Sequence, residues 1–302
     1  MYLQHFGIKE FPFSITPDTG FFFSSDSSQA ALNTLLIAVR TGEGFIKITG
    51  EVGTGKTLLC RKLIESLQAD CKVAYIPNPY LEPHSLFMEL ASELEVVINP
   101  AVQLNQYQLL KVLTYRLLEI IREGKRVVIC LDEAQAMPIE TLEALRLLTN
   151  LETEKRKLLQ VVIFGQPELE DKLNHPSIRQ LKQRIAFDYD LSALSRDELD
   201  YYVHHRLVVS GYQGGRLFTP MALWVLQLKT KRVPRLVNIL AHKAMLCAYG
   251  KGRKVVSMFD VLTAANDTSS LRRPKWVRRS GSFFVAFLIA VSIASLGWVY
   301  LK

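Results

Sequence analysis

The chain has 302 residues, of which 49% are hydrophobic and 22% charged, and its formal net charge is +8. This composition supplies material for a packed core and excludes an intrinsically disordered protein. Most of the excess positive charge lies in residues 271–302, so the preceding body is nearly neutral and no specific nucleic-acid partner is expected. The four cysteines have no C-x-x-C spacing, which predicts buried thiols in a reducing compartment.

Residues 1–25 are predicted to form an N-terminal arm that is rich in aromatic side chains. Phe6 and Phe13 are followed by a run of three phenylalanines at 21–23. Bulky rings in a short segment ahead of the first predicted helix favour a packing role, in which the arm is stapled onto the sheet.

Residues 26–191 alternate short apolar segments with amphipathic ones, which predicts an α/β fold with a parallel sheet covered by helices on both faces. We interpret this region as a P-loop ATPase core. The predicted strands span residues 44–49, 72–77, 126–131, 158–164 and 185–190. The predicted helices span residues 29–41, 58–67, 84–96, 106–122 and 139–151.

Residues 50–57 match the pattern G-x-x-x-x-G-K-[ST] between a predicted strand and a predicted helix, which is the context of a P-loop. The glycines allow the backbone to wrap around phosphates, Lys56 reaches the β and γ phosphates, and Thr57 offers its hydroxyl to magnesium. The sequence therefore predicts ATP and Mg²⁺ as ligands. The residues expected at the nucleotide are Gly50, Glu51, Val52, Gly53, Thr54, Gly55, Lys56, Thr57 and Leu58.

The predicted strand 126–131 ends in two adjacent carboxylates, Asp132 and Glu133, which is a Walker B pattern. A buried, unpaired carboxylate is strongly penalised, so a bound metal ion gives this pair a use. We assign Asp132 to the magnesium shell and Glu133 to polarising the attacking water as a general base.

Strand patterns disappear after residue 191, and residues 192–268 are predicted to form a small helical lid. Residues 269–282 have the Ser, Pro, Gly and Arg content of a basic linker. Residues 283–301 form an uncharged apolar run whose length, about 28 Å as a helix, fits a single transmembrane span. The basic residues before this run predict that the large N-terminal part lies in the cytoplasm.

The P-loop, the Walker B pair and the helical lid together resemble the AAA-type ATPases. This resemblance implies that Gln166, at the end of the fourth strand, is a sensor of the γ-phosphate. It also implies that Arg184, with Arg179 as a second candidate, acts on the nucleotide of a neighbouring subunit in a homo-oligomer. Arg235 matches the sensor-2 arginine of the pattern Gly-x-Pro-Arg, although Arg232 stands where the pattern has glycine.

The N-terminus, Tyr2-x-x-His-Phe-Gly-Ile-x-Glu-x-Pro-Phe-Ser-Ile-Thr-Pro-Asp18, resembles the opening of the general secretion pathway protein A family of ATPases, and the resemblance extends along essentially the whole chain. It is strongest for the branch that serves mannose-sensitive haemagglutinin pili. The resemblance implies that the arm helps to enclose the adenine, an alternative to the packing role. It further implies a single-pass protein of the bacterial inner membrane that supports assembly of a type IV pilus or type II secretion apparatus, with envelope proteins as partners.

Members of the secretion branch continue into a periplasmic peptidoglycan-binding domain, whereas this sequence ends at Lys302. We therefore expect contact with the cell wall to belong to a partner protein. Two other functions stay open: a DNA-acting ATPase of the transposition-regulator type, and a scaffold that binds ATP without turning it over. The near-neutral body disfavours the first, and Glu133 disfavours the second.

Overall fold

The structure is a computed structural model and describes residues 2–99, 103–152 and 157–268. Within these ranges five strands form one parallel sheet in the order β2-β3-β4-β1-β5. The strands are β1 (Phe45–Gly50), β2 (Cys71–Ile76), β3 (Arg126–Leu131), β4 (Gln160–Gly165) and β5 (Ile185–Leu191). The predicted strands are confirmed to within two residues at each end.

Twelve α-helices occur in the same ranges. The first eight are α1 (Tyr2–Phe6), α2 (Asp26–Thr41), α3 (Lys56–Leu67), α4 (Pro83–Glu93), α5 (Gln106–Arg122), α6 (Ile139–Leu148), α7 (Glu168–Leu173) and α8 (Arg179–Lys182). The last four form the helical lid: α9 (Arg196–Val209), α10 (Pro220–Thr230), α11 (Pro234–Gly250) and α12 (Met258–Asp267).

The helix boundaries differ from the predicted ones for identifiable local reasons. Helix α2 begins three residues early because the Ser25 side chain caps it by accepting from the Ser28 N–H. Helix α4 ends at Glu93, shortly before Glu95 takes a positive φ of 59°. Helices α7 and α8 were not predicted from the sequence, because six and four residues are too few to establish a helical period.

The two faces of the sheet bury separate apolar clusters, as the alternation of side chains along a strand requires. Phe45, Ile129 and Ile163 point to the face covered by α4–α8. Ile48 and Phe164 point to the opposite face, which is covered by α2 and α3. Burial on both faces explains why the strands are continuous apolar runs in the sequence.

The N-terminal arm packs most of its rings on the helical lid, and only Phe22 packs against the cluster on the sheet, so the expectation that the arm is stapled onto the sheet was wrong for most of its rings. Tyr2, Phe6 and Phe13 belong to one buried cluster with side chains of α9–α12. The Phe13 ring contacts the Phe218 ring edge-on at a centroid distance of 5.9 Å. The sheet faces are already covered by α2–α8, which leaves the lid as the apolar surface for the arm.

Lys47, on the interior strand β1, is a buried cation that forms an ion cluster with more exposed carboxylates. Its ammonium lies 2.5 Å from a Glu170 carboxylate oxygen and 2.8 Å from an Asp188 oxygen. The other oxygen of Glu170 binds Lys182 at 2.5 Å. Because a buried ammonium is costly without partners, this cluster fixes α7 and α8 relative to β1 and β5.

None of the helices in the described ranges has the length and hydrophobicity needed to span a membrane. The predicted linker 269–282 and the predicted span 283–301 lie outside those ranges. The four cysteines are free thiols: Cys60, Cys71 and Cys130 are buried and Cys247 is half-buried.

The packing of the arm on the lid makes Phe13→Ala strongly destabilising. Phe13 is 2% exposed, and removal of a buried phenylalanine side chain lowers the free energy of unfolding by about 3–5 kcal/mol. Phe11 is 51% exposed, so Phe11→Ala serves as the matched control and should cost under about 1 kcal/mol. Urea denaturation of the two variants measures both values, and equal losses would contradict this placement of the arm.

Candidate nucleotide-binding site

The P-loop connects the end of β1 to the start of α3, where backbone N–H groups face the cleft. Gly53 and Gly55 have positive φ values of 86° and 106°, a conformation that residues with a Cβ rarely adopt. The residue before α3 is Gly55, so no side chain caps the first N–H groups of the helix. Unpaired N–H groups and the positive end of the helix dipole make this loop suitable for binding phosphate.

Lys56 is buried at the base of this loop. Its ammonium donates hydrogen bonds to the carbonyl oxygens of Gly50 and Glu51 at 2.7 and 3.0 Å. Burial lowers the pKa of Lys56, while the nearby Glu133 and Asp132 carboxylates act in the opposite direction. The Lys56 side chain is therefore held inside the cleft by two carbonyl groups of the loop.

Asp132 and Thr57 lie side by side, which fits the predicted magnesium site. Burial raises the pKa of the Asp132 carboxyl, and a hydrogen bond with the Thr57 side chain partly offsets this effect. Mg²⁺ prefers oxygen ligands and commonly takes one or two from the protein, the rest coming from phosphates and water. One carboxylate and one hydroxyl, placed at the phosphate-binding loop, meet that requirement.

Glu133 is held by two glutamine side chains. Its Oε2 atom accepts hydrogen bonds from Gln135 Nε2 at 2.5 Å and from Gln166 Nε2 at 3.0 Å. The oxygen of the Gln135 amide accepts from the Gln166 backbone N–H at 3.0 Å. Glu133 itself has a positive φ of 53°, a strained conformation of the kind found at functional sites. The general-base candidate and the sensor candidate are thus in direct contact.

Gln135 was not predicted from the sequence. Its position two residues after Glu133 is the only indication that the chain gives, and polar residues are common at the ends of strands. The contact between β3 and β4 that makes it part of the site is visible only in the fold.

Arg235 comes from the lid and reaches the P-loop. Its backbone N–H donates to the Gly53 carbonyl at 3.2 Å, and its Cβ occupies the space that a Cβ on Gly53 would need. Arg232, which replaces the glycine of the sensor-2 pattern, has a positive φ of 64°. The backbone shape that glycine would favour is therefore present here despite the arginine side chain.

One cleft brings most of the predicted site residues together. Its walls include seven of the predicted nucleotide contacts together with Glu133 and Gln166. The seven are Val52, Gly53, Gly55, Lys56, Thr57, Leu58 and Arg235. Gly50, Glu51 and Thr54 form the back of the loop, where the Thr54 hydroxyl donates to the Glu51 carbonyl at 2.9 Å.

The arm and the lid supply the other wall of this cleft. Residues 14–18 of the arm line it, as do Tyr202 and Arg206 of α9 and Asn238 of α11. Sequence reasoning missed these three lid residues. Arg206 lies on the same face of α9 as the buried Leu199 and Val203, and a lone arginine on the apolar face of a helix was the available clue.

The two candidate inter-subunit arginines lie away from the cleft of their own chain. Arg184 donates to the Thr149 hydroxyl at 3.0 Å, next to the end of α6. Arg179 is exposed at the start of α8. Neither residue is among those that line the cleft.

Comparison with known families and proteins agrees with this geometry. Residues 39–173 match the model of a family described as AAA domain. Over 299 residues the chain is 40% identical to general secretion pathway protein A of Aeromonas hydrophila. The match covers 99% of this chain and 53% of that protein, so the chain spans about half the length of its relative.

Several solved structures have the same fold. Cdc6p of Pyrobaculum aerophilum gives a TM-score of 0.67 at 20% identity, covering 85% of this chain and 70% of that one. ORC2 of Aeropyrum pernix, in ADPNP-ADP complexes, gives 0.62 at 17% identity, covering 86% and 74%. RuvB of Thermotoga maritima gives 0.51 at 15% identity, covering 81% and 70%. At these identities the likeness establishes an AAA-like fold for this chain, and nothing further.

The burial of Asp132 predicts that Asp132→Asn stabilises the nucleotide-free protein. Because its pKa is raised in the folded state, the folded protein binds the proton more tightly than the unfolded chain does. Stability is therefore lost as pH rises through the pKa of Asp132 in the folded protein. Removal of the negative charge in Asp132→Asn should raise the melting temperature at neutral pH by about 2–4 °C. The gain should vanish in acid, below the ordinary aspartate pKa, where both states are protonated.

Differential scanning fluorimetry across pH measures this effect. The same variant should lose the extra stabilisation that MgATP gives over ATP with a chelator, since the carboxylate is the predicted magnesium ligand. A fall in melting temperature at neutral pH would show instead that the Asp132 carboxylate stabilises the fold.

Proposed function

We propose that this protein is a Mg²⁺-dependent ATPase. The observation that carries the proposal is the convergence, around one cleft, of the P-loop with Lys56, the Thr57–Asp132 pair, and Glu133 in contact with Gln166. Simple nucleotide binding does not require a carboxylate held beside the phosphate site. Hydrolysis requires one, because an attacking water must be oriented and must lose its proton.

Each residue has a distinct role in this proposal. The P-loop N–H groups and Lys56 bind the phosphates. Thr57 and Asp132 hold magnesium, which neutralises charge that develops on the phosphates during transfer. Glu133 orients the water and accepts its proton, while Gln166 positions Glu133 and faces the terminal phosphate. Arg235 contacts the nucleotide from the lid.

We further propose that the chain acts as a homo-oligomer in which Arg184 completes the site of a neighbouring subunit. Arg184 lies outside the cleft of its own chain, so any contribution to hydrolysis needs a second copy. An arginine supplied in trans to a phosphoryl-transfer site stabilises the charge of the transition state.

In the cell we propose a membrane-anchored ATPase that supports assembly of an envelope apparatus. The support comes from the relative, which is named for the general secretion pathway, and from the apolar segment 283–301 of the sequence. We propose that it supports assembly of a type IV pilus of the mannose-sensitive haemagglutinin kind or of a type II secretion apparatus. Residues 283–301 would then anchor the protein in the inner membrane with the AAA domain in the cytoplasm.

Substitutions of Lys56 and Glu133 should separate binding from hydrolysis. Lys56→Ala removes a phosphate ligand, so the equilibrium dissociation constant for MgATP should rise. Glu133→Gln keeps the phosphate contacts, so binding should persist while kcat falls by about a hundredfold or more. Glu140→Gln, an exposed change on α6, is the matched control and should leave both quantities unchanged. Equal kcat values for the wild type and Glu133→Gln would remove Glu133 from the reaction.

A mixing experiment tests whether Arg184 acts in trans. Arg184→Ala should lower kcat while preserving ATP affinity, and specific activity of the wild type should rise with protein concentration. A mixture of Arg184→Ala with Lys56→Ala should recover part of the activity, since an interface is complete where the first variant supplies the P-loop and the second supplies the arginine. Thr149→Val, which removes the hydrogen-bond partner of Arg184, is the control for a purely local role.

Two results would redirect these proposals. Failure of the mixture to regain activity, at concentrations where the chains associate, would exclude a trans role for Arg184. Strong stimulation of hydrolysis by DNA, absent with lipid vesicles, would favour the DNA-acting alternative.

A further inference from the structure

Residues 11–17 of the arm form neither helix nor strand, yet residues 14–18 form a wall of the cleft. An irregular segment cannot satisfy its backbone carbonyl groups through a ladder of its own and depends on other partners. Pro12 and Pro17 also lack the N–H group that could anchor the segment. The position of this wall must therefore be set by groups outside the arm.

Arg206 of α9 supplies two of these partners. Its Nε donates to the Pro12 carbonyl at 2.5 Å, and one terminal nitrogen donates to the Ser14 carbonyl at 3.3 Å. The guanidinium lies 4.6 Å from the centre of the Phe21 ring, a cation–π contact with a third part of the arm.

The burial of Arg206 makes these contacts obligatory. The residue is only 4% exposed, and no carboxylate within the described ranges forms an ion pair with it. A buried guanidinium without hydrogen-bond partners is strongly unfavourable. The folded state therefore requires the carbonyl groups of the arm to stay where the guanidinium is, which is a stronger constraint than apolar contact provides.

Tyr202 and Asn238 extend this arrangement to the lid helix that carries Arg235. Another terminal nitrogen of Arg206 lies 3.3 Å from the Tyr202 hydroxyl, which donates to Asn238 Oδ1 at 2.7 Å. The amide nitrogen of Asn238 donates to the Ser14 carbonyl at 3.2 Å. Asn238 lies one turn after Arg235 on α11, and Arg235 contacts the P-loop at Gly53.

The other end of the wall is attached to the AAA domain. Arg61 of α3 donates to the Pro17 carbonyl at 2.6 Å. The arm thus spans from the lid, at Pro12 and Ser14, to the P-loop helix, at Pro17. It contributes the apolar side chains of Ile15 and Pro17 to the cleft, which suit the face of a nucleobase and offer no charge to a phosphate.

We infer that Arg206 is a positioning residue that holds arm residues 12–17 as the base-side wall of the nucleotide cleft, with Tyr202 and Asn238 tying that wall to the lid. The inference rests on the proposed ATPase function, and it identifies the Arg206 guanidinium as the group that positions the arm for nucleobase recognition. Arg206 acts through the arm backbone, whereas Lys56 and Thr57 act on the phosphates. The contributions of the two ends of the nucleotide to binding are therefore separable.

Binding of ATP and of inorganic tripolyphosphate to the full-length chain, both with Mg²⁺, tests this inference. Arg206→Lys keeps the charge but replaces the planar group, which spans two carbonyls, with a single ammonium. Isothermal titration calorimetry should show about a tenfold weaker ATP affinity, equivalent to the loss of one good contact, with tripolyphosphate affinity within about twofold of the wild type. Lys56→Ala should weaken binding of both ligands.

Two further variants keep the test informative. Arg196→Met removes an exposed arginine from the same helix and should leave both affinities unchanged. Tyr202→Phe retains the buried ring and loses only the hydroxyl, so it should fold even if Arg206→Lys does not. It should show a smaller loss of ATP affinity in the same direction, again with tripolyphosphate spared.

The outcomes separate this inference from the proposed function. ATP and tripolyphosphate affinities that fall together in Arg206→Lys would assign the residue a general structural role, and an unchanged ATP affinity would show that the arm does not contact the base. Either result would overturn the inference while leaving the ATPase proposal standing. A wild-type protein that binds neither ligand would overturn both.

Discussion

The uncapped amino end of α3 is the constraint on which the site depends. Helices α2, α5, α9 and α10 are each capped by a side chain that accepts from their first turn, whereas α3 begins after Gly55 and leaves its N–H groups facing the cleft. Burying such a helix end without a partner is unfavourable, so its donors must meet water or an anion. The strand order places β1 between β4 and β5, which brings this end of α3 beside the ends of β3 and β4. Asp132, Glu133 and Gln166 follow those strand ends and so meet the loop.

The lid and the arm complete a cleft that the P-loop domain, residues 26–191, would leave open on one side. Helix α11 starts with Pro234 and contacts Gly53 through Arg235, so the entry of the lid helix is fixed at the P-loop itself. The arm then packs its rings in the lid core and lays residues 14–18 along the cleft. Arm residues 14–18 and Arg235 therefore meet at one ligand site, although they are more than 200 residues apart in sequence.

Local patterns predicted the fold well, because burial on both sheet faces produces continuous apolar strands and the P-loop has a fixed sequence. Asp132 and Glu133 were predictable for the same reason: they follow a strand that cannot otherwise use two carboxylates. Gln135, Arg206 and Asn238 were not predictable, because their roles arise from contacts between distant segments. The packing surface of most arm rings was assigned wrongly for a related reason, since aromatic content indicates burial without indicating the partner. The bounds of α7 and α8 escaped prediction because a one-turn or two-turn helix shows no period.

Two buried cations show how different partners produce different mechanical results. Lys47 is neutralised by carboxylates on β5 and α7, and both of these are regular elements. The ion cluster therefore fixes α7 and α8, which lie between Gln166 and Arg184 in sequence, to the sheet. Arg206 has carbonyl groups of an irregular segment as its main partners, so its burial dictates the path of a segment that has no ladder of its own. A carboxylate partner compensates the charge of the cation and joins two rigid elements. A backbone carbonyl offers only a dipole, and its position is the position of the chain itself. The contacts of Lys47 stiffen the P-loop domain, whereas the contacts of Arg206 make the shape of the cleft wall depend on the lid.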